Sequence, residues 1–177
     1  MKILFLDIDG VLNTTKDKDP EFINPLKAEM IQRVCQETGA VIVLSSSWRD
    51  PEGWNRIHGL DLSVEEAVAR TAAALNRVGL TTPIVGWTPI DPLVEPQNAS
   101  QRKMNWREYE ILAWLDEHPE IETFAVIDDV KMRSYRINLH SVCTNEGIGL
   151  LIQHEAKLKK ILNPETDLHG LPGSDGS

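Results

Sequence analysis

Four short apolar runs punctuate the chain: Ile3–Leu6, Val41–Leu44, Pro83–Gly86 and Phe124–Ile127. They are rich in aliphatic and β-branched residues and lack polar alternation, the pattern of strands buried on both faces. Between them, apolar positions recur at helical spacing over about Pro25–Thr38, Val64–Val78 and Asn105–His118. This alternation predicts an α/β fold, a doubly wound three-layer parallel sheet with crossover helices. Gly39 and Gly79 follow the first two helices, where a glycine can take the left-handed turn that stops a helix. Arg136–Val142 predicts a further strand, and Glu155–Leu162 a last helix with Leu158, Ile161 and Leu162 on its apolar side.

Two stretches break the alternation. Arg49–Ser63 shows no clean period and is expected to form an irregular excursion over the sheet edge. Thr88–Gln101 holds Pro89, Pro92 and Pro96 and is expected to be extended, because proline removes an amide donor and restricts its preceding neighbour. Both stretches leave strand ends.

A length of 177 residues fits one domain with a continuous core, placed here at residues 1–162, followed by a Gly-, Pro-, Ser- and Asp-rich tail at 163–177. The formal net charge of -9 argues against a broad nucleic-acid-binding surface. Two local cationic clusters, Arg102, Lys103 and Arg107, and Lys131, Arg133 and Arg136, read either as phosphate holders or as solvated faces. Cys35 and Cys143 lack CxxC or Cys/His spacing, which disfavours zinc. They read as buried inert thiols suited to a reducing cytoplasm. The apolar start reaches Asp7 and Asp9 too early for a signal peptide or a membrane span.

In an open parallel sheet, ligands bind beyond the carboxyl ends of the strands. Those ends carry Asp7-Ile8-Asp9-Gly10, Ser45-Ser46-Ser47 and Asp128-Asp129, and the third leads toward Arg102, Lys103 and Arg107. Acids from two separate strand ends repel one another unless a cation sits between them. An oxygen-only donor set, with no His or Cys at the strand ends, points to Mg²⁺.

The segment Asp7-Ile8-Asp9-Gly10-Val11-Leu12, placed after a buried first strand, resembles the DxDGxx motif of haloacid dehalogenase (HAD) superfamily phosphatases. The resemblance covers roughly residues 1 to 155. It implies that Asp7 attacks phosphorus, while Asp9 protonates the leaving group and then activates water against the aspartyl-phosphate. Gly10 lets the chain turn sharply beside the phosphate. A plain acidic turn is the competing reading of so short a motif. Aspartate at the second position disfavours dehalogenation.

The family's second motif is a Ser or Thr ending the second strand. Counting from the apolar run favours Ser45, whereas counting back from Trp48 favours Ser46. For the phosphate-neutralising cation, Arg107 is the first candidate and Lys103 the second. Arg107-Glu108-Tyr109-Glu110-Ile111-Leu112-Ala113-Trp114-Leu115 resembles the R-x-x-E-I-x-x-W-L helix start of phosphatase-like domains associated with RNA-repair proteins. In it, Glu110 is expected to pair with Arg107 or to cap the helix. Asp128-Asp129 resembles the fourth motif: Asp128 is expected to bind magnesium directly, and Asp129 through water or as a holder of backbone. The implied metal set is Asp7, Asp9, Asp128 and Asp129.

The stretch between Asn13 and the first helix is too short for a cap domain, so an open site is expected, suited to large substrates such as a polynucleotide end or a phosphoprotein. The leading expectation is a Mg²⁺-dependent phosphomonoesterase acting on a phosphorylated small molecule or nucleic-acid end. Phosphotransfer to another alcohol and phosphate binding without turnover are the rival readings.

Overall fold

The computed structural model describes residues 1–90 and 105–164. Within them, the apolar runs become β1 (Lys2–Leu6), β2 (Ala40–Leu44), β3 (Ile84–Trp87) and β4 (Thr123–Asp128), joined by a short β5 (Ser141–Cys143). The sheet order is β3-β2-β1-β4-β5, with every neighbouring pair parallel. β1 lies in the middle, with Leu6 opposite Leu44 on one side and Ile127 on the other. The chain leaves β1 toward β2 and later returns to β1's other side as β4. The carboxyl ends of β1 and β4 therefore flank the switch point where such sheets bind ligands.

The helices are α1 (Pro25–Thr38), α2 (Pro51–His58), α3 (Val64–Arg77), α4 (Trp106–Glu117), α5 (Tyr135–Asn138) and α6 (Ile152–Leu162). Alternation along β1 sends Leu4 and Leu6 into a core with α1, α3 and α6, and Ile3 and Phe5 into a second core with α4 and α5. Phe5 meets Trp114 and Phe124 edge-on, at centroid distances of 5.4 and 6.0 Å. Three layers result, and the doubly wound α/β expectation is borne out. No helix among the described residues is long and apolar enough to cross a membrane.

Several local expectations need correction. Arg49–Ser63 is not irregular: after a 3-10 turn at Ser47–Arg49, it forms α2, whose start is capped by Asp50 with Pro51 in the first turn. Gly59, at φ 63°, closes it. Arg136–Val142 is mostly helix and turn, and β5 starts only at Ser141. The third apolar run is an edge strand rather than one buried on both faces, and Val85 is half exposed. Cys35 is buried as expected, whereas Cys143 is exposed, because alternation along the short edge strand β5 turns it outward. Most of Thr88–Gln101 lies outside the described residues.

Candidate active site

The site grows out of the sheet's own ladder. The Asp7 amide donates to the Ile127 carbonyl at 3.0 Å and the Ser45 amide to the Leu6 carbonyl at 2.9 Å, so pairing continues one residue past the strands. Phe5 and Val126 face α4, and two residues on the same faces carry Asp7 and Asp128. α4 begins at the same end of the sheet. Its start is fixed by a reciprocal cap between Asn105 and Glu108, which leaves Arg107 in the first turn, over both carboxylates.

Arg107 is the hub. Its Nε donates to Asp128 Oδ2 at 2.9 Å and its Nη1 to Glu110 Oε2 at 2.9 Å, while Nη2 lies 3.7 Å from Asp7 Oδ1. Asp7 Oδ1 also accepts the Ile8 amide at 2.8 Å, and Asp128 Oδ1 accepts the Val130 amide at 2.8 Å. Asp7 and Asp128 are both almost completely buried. Burial raises the Asp7 carboxyl to about 6, against the opposing pull of Arg107, the Ser46 hydroxyl and the Ile8 amide. Burial raises Asp128 further, to about 8, with Asp7 pushing in the same direction. Burial raises Asp129 as well.

One carboxylate oxygen from each of Asp7, Asp128 and Asp129 lies within 4.8 Å of the others. Three converging oxygen donors, two of them buried where ionisation is costly, fit a hard divalent cation such as Mg²⁺. Asp9, also expected among the ligands, contributes no carboxylate to this group. Its Oδ1 accepts from Trp48 Nε1 at 2.9 Å and Asn13 Nδ2 at 2.8 Å, and its Oδ2 accepts from Ser47 Oγ at 3.3 Å.

Gly10 shows why the turn after Asp9 needs glycine. Its φ is +69°, and a Cβ there would lie 2.5 Å from Asp129 Oδ2. The Gly10 amide donates to Asn13 Oδ1 at 2.9 Å and its carbonyl accepts the Thr144 hydroxyl at 2.7 Å, so the turn is held on both sides.

Ser46, rather than Ser45, acts on the first aspartate: its hydroxyl pulls the Asp7 carboxyl down against burial, and the same oxygen accepts the Trp48 amide at 3.4 Å. The Ser45 hydroxyl is buried and has no partner among the described residues. Lys103 lies outside the described residues. Glu110 pairs with Arg107 and does not cap, since Glu108 takes that role.

Arg49, Asn13 and the orienting function of Trp48 escaped the sequence reading. Asn13 carried a faint signal, a turn-forming residue just after the motif. Arg49 carried none, because its partner Glu110 is distant in sequence.

A family model described as the HAD domain in Swiss Army Knife RNA repair proteins matches residues 3–154. The chain belongs to this family. No curated protein and no solved structure gives a significant match. Membership in the HAD domain family supports a phosphatase type of function, and the fold described above is the HAD Rossmann-like core.

Beside this HAD site opens a cleft of about 590 Å³, lined by Asp9, Gly10, Ser47 and Asp129 on the side of the acids. Its far walls are the segment after Asn13 and α2, tied together by a contact between the Glu21 carboxylate and His58 Nε2. Acidic side chains dominate the lining, and Arg56 is the one Lys or Arg in it among the described residues.

Proposed function

We propose that this chain is a Mg²⁺-dependent phosphomonoester hydrolase that works through an aspartyl-phosphate at Asp7. The observation that carries the reading is the convergence of Asp7, Asp128, Asp129, Arg107 and Ser46 at one strand-end locus, with Asp9 beside it in the cleft. Asp7, Asp128 and Asp129 would hold the magnesium. When bound, the ion neutralises phosphate oxygens and keeps the buried carboxylates ionised.

In the first step, an Asp7 carboxylate oxygen bonds to phosphorus and the bond from phosphorus to the ester oxygen breaks. Asp9 gives its proton to the departing oxygen. Its Oδ1 accepts from both Trp48 and Asn13, whereas Oδ2 accepts only the longer Ser47 bond at 3.3 Å among the described residues, which makes Oδ2 the oxygen that carries the proton. In the second step, Asp9 takes a proton from water. The water oxygen bonds to phosphorus, the link to Asp7 breaks, and inorganic phosphate leaves. Arg107 and the Ser46 hydroxyl donate to the phosphoryl oxygens throughout, a preorganised set of donors where negative charge develops.

For the substrate we favour a phosphate at a nucleic-acid end, the reading supported by the family's association with RNA repair proteins. The acidic lining of the cleft favours a second reading, a phosphate ester of a neutral or cationic alcohol. A screen of phosphorylated oligonucleotide ends and phosphorylated metabolites, with and without Mg²⁺, separates them.

The reaction itself is tested by Asp7→Asn. It should abolish turnover of p-nitrophenyl phosphate, a loss of about a thousandfold or more. Retained activity removes Asp7 as nucleophile.

A further inference from the structure

Arg49 is one of the largest fully buried side chains among the described residues, and its polar partners there lie at the edge of the site. Its Nε donates to the Thr88 carbonyl at 2.7 Å, its Nη1 to the Ser46 carbonyl at 2.6 Å, and its Nη2 to the Pro89 carbonyl at 3.1 Å. Nη2 also lies 2.7 Å from Glu110 Oε1. The other oxygen of Glu110 accepts Arg107 Nη1 at 2.9 Å. One buried carboxylate thus bridges two guanidinium groups that would otherwise repel each other.

Buried ion pairs contribute little net stability compared with apolar packing of similar volume, because desolvation offsets the attraction. What the arrangement supplies is orientation. The Glu110 carboxylate is held through both of its oxygens, one to each guanidinium, and the Arg107 plane is held at two points, Nη1 on Glu110 and Nε on Asp128, so it turns only by breaking one of them. The chain of contacts ends at two groups beside Asp7. Arg49 holds the Ser46 carbonyl, one residue past the Ser45 amide that pairs with Leu6 beside Asp7, and Glu110 holds Arg107 Nη1, whose guanidinium bonds Asp128 and lies 3.7 Å from Asp7.

We propose that Arg49 and Glu110 form a positioning pair that sets the Arg107 guanidinium and the Ser46 hydroxyl for a phosphoryl group at Asp7. The pair touches neither substrate nor metal and acts through these two residues. The inference rests on the phosphoryl-transfer reading above, but its test does not depend on turnover.

The test compares four full-length proteins: the wild type, Glu110→Gln, Arg107→Ala and the double variant. Two readouts are needed. The first is hydrogen exchange at the Arg107 side-chain Nε–H, followed by NMR without ligand and assigned by its loss in Arg107→Ala. The second is inorganic phosphate affinity in Mg²⁺ by calorimetry, with kcat and KM on p-nitrophenyl phosphate.

Glu110→Gln should accelerate the Nε–H exchange about tenfold and weaken phosphate binding by about ten- to a hundredfold, the range seen when supporting hydrogen bonds of a site are removed. In the Arg107→Ala background, the same substitution should change phosphate binding by less than about twofold, because the residue it acts through is gone. Unchanged Nε–H exchange, or an equal loss of phosphate affinity in both backgrounds, overturns the proposal.

If Glu110→Gln does not fold, Arg49→Lys takes its place under the same criteria, since it keeps the charge and removes the fork. A wild type that neither hydrolyses the ester nor binds phosphate overturns the hydrolase reading. The Nε–H exchange still decides the positioning pair in that case.

Discussion

Trp48 donates its indole N–H to Asp9 Oδ1 at 2.9 Å, so the carboxylate assigned to proton transfer is oriented by a side chain that is itself almost fully buried. The indole is held in turn by Trp54, which packs edge-on against it at 5.5 Å and donates to the Trp48 carbonyl at 2.8 Å. An exposed acid is thereby anchored to the core without being buried in it.

Trp48→Phe keeps an aromatic ring and removes the donor. Asn13 still holds Asp9 Oδ1, so the effect should be partial: kcat on p-nitrophenyl phosphate should fall about tenfold. Thermal unfolding should show a loss of about 1 kcal/mol, the usual net worth of one hydrogen bond. Steady-state kinetics and a melting curve check both values. An unchanged kcat would show that Asn13 alone orients Asp9.

Gly10→Ala should cost about 1–2 kcal/mol from its left-handed backbone alone. The larger effect should fall on the site, because the new methyl group would displace the Asp129 carboxylate. Mg²⁺ affinity, measured by calorimetry, should drop more than thermal stability suggests.

Arg107→Ala removes the cation shared by Asp128, Glu110 and Asp7, leaving Glu110 to Arg49 and the buried Asp128 and Asp7 without it. Breaking such a network should destabilise the metal-free protein by about 3 kcal/mol or more. It should lower kcat/KM at least a hundredfold, as loss of a transition-state donor does. Lys103→Ala, measured in parallel, should have a small effect. The reverse pattern would transfer the cationic role to Lys103.

The raised carboxyls of Asp7 and Asp128 make stability depend on pH in a defined direction. Both are protonated in the folded, metal-free protein at pH values where an unfolded carboxyl is already ionised. Folding therefore takes up protons between about pH 4 and pH 8, and the contribution of these groups to stability falls as pH rises through that window. Mg²⁺ binding should reverse this by favouring the ionised forms, with release of protons. Melting curves with and without Mg²⁺ should diverge more at pH 8 than at pH 5, and calorimetry in buffers of different ionisation enthalpy should detect the released protons.

Much of the frame was legible because each signal is local. Asp7 and Asp128 follow unbroken apolar runs, so their places at strand ends could be read from the runs themselves. Asn24, Ser63 and Asn105 cap their helices through residues two or three positions away. α2 carried the same kind of signal in Asp50, Pro51 and Gly59, but Gly53 and the paired tryptophans masked its period. The strand expected over Arg136–Val142 shrinks to Ser141–Cys143 because Ile137 and Leu139 alternate with Arg136, Asn138 and His140 well enough to imitate a strand, while Tyr135–Asn138 turns instead to bury Ile137.

The sequence by itself determined the α/β layering, the strand-end acids and the candidate cation Arg107, since apolar periodicity and motif spacing are properties of neighbouring residues. Tertiary structure alone decided that Ser46 rather than Ser45 acts on the Asp7 carboxyl, that Trp48 and Asn13 hold Asp9, and that Arg49 and Glu110 join behind Arg107. These contacts depend on how the loops and α4 close over the strand ends. They join parts of the chain whose separation leaves no periodic trace, and only the packed sheet brings them within hydrogen-bonding distance.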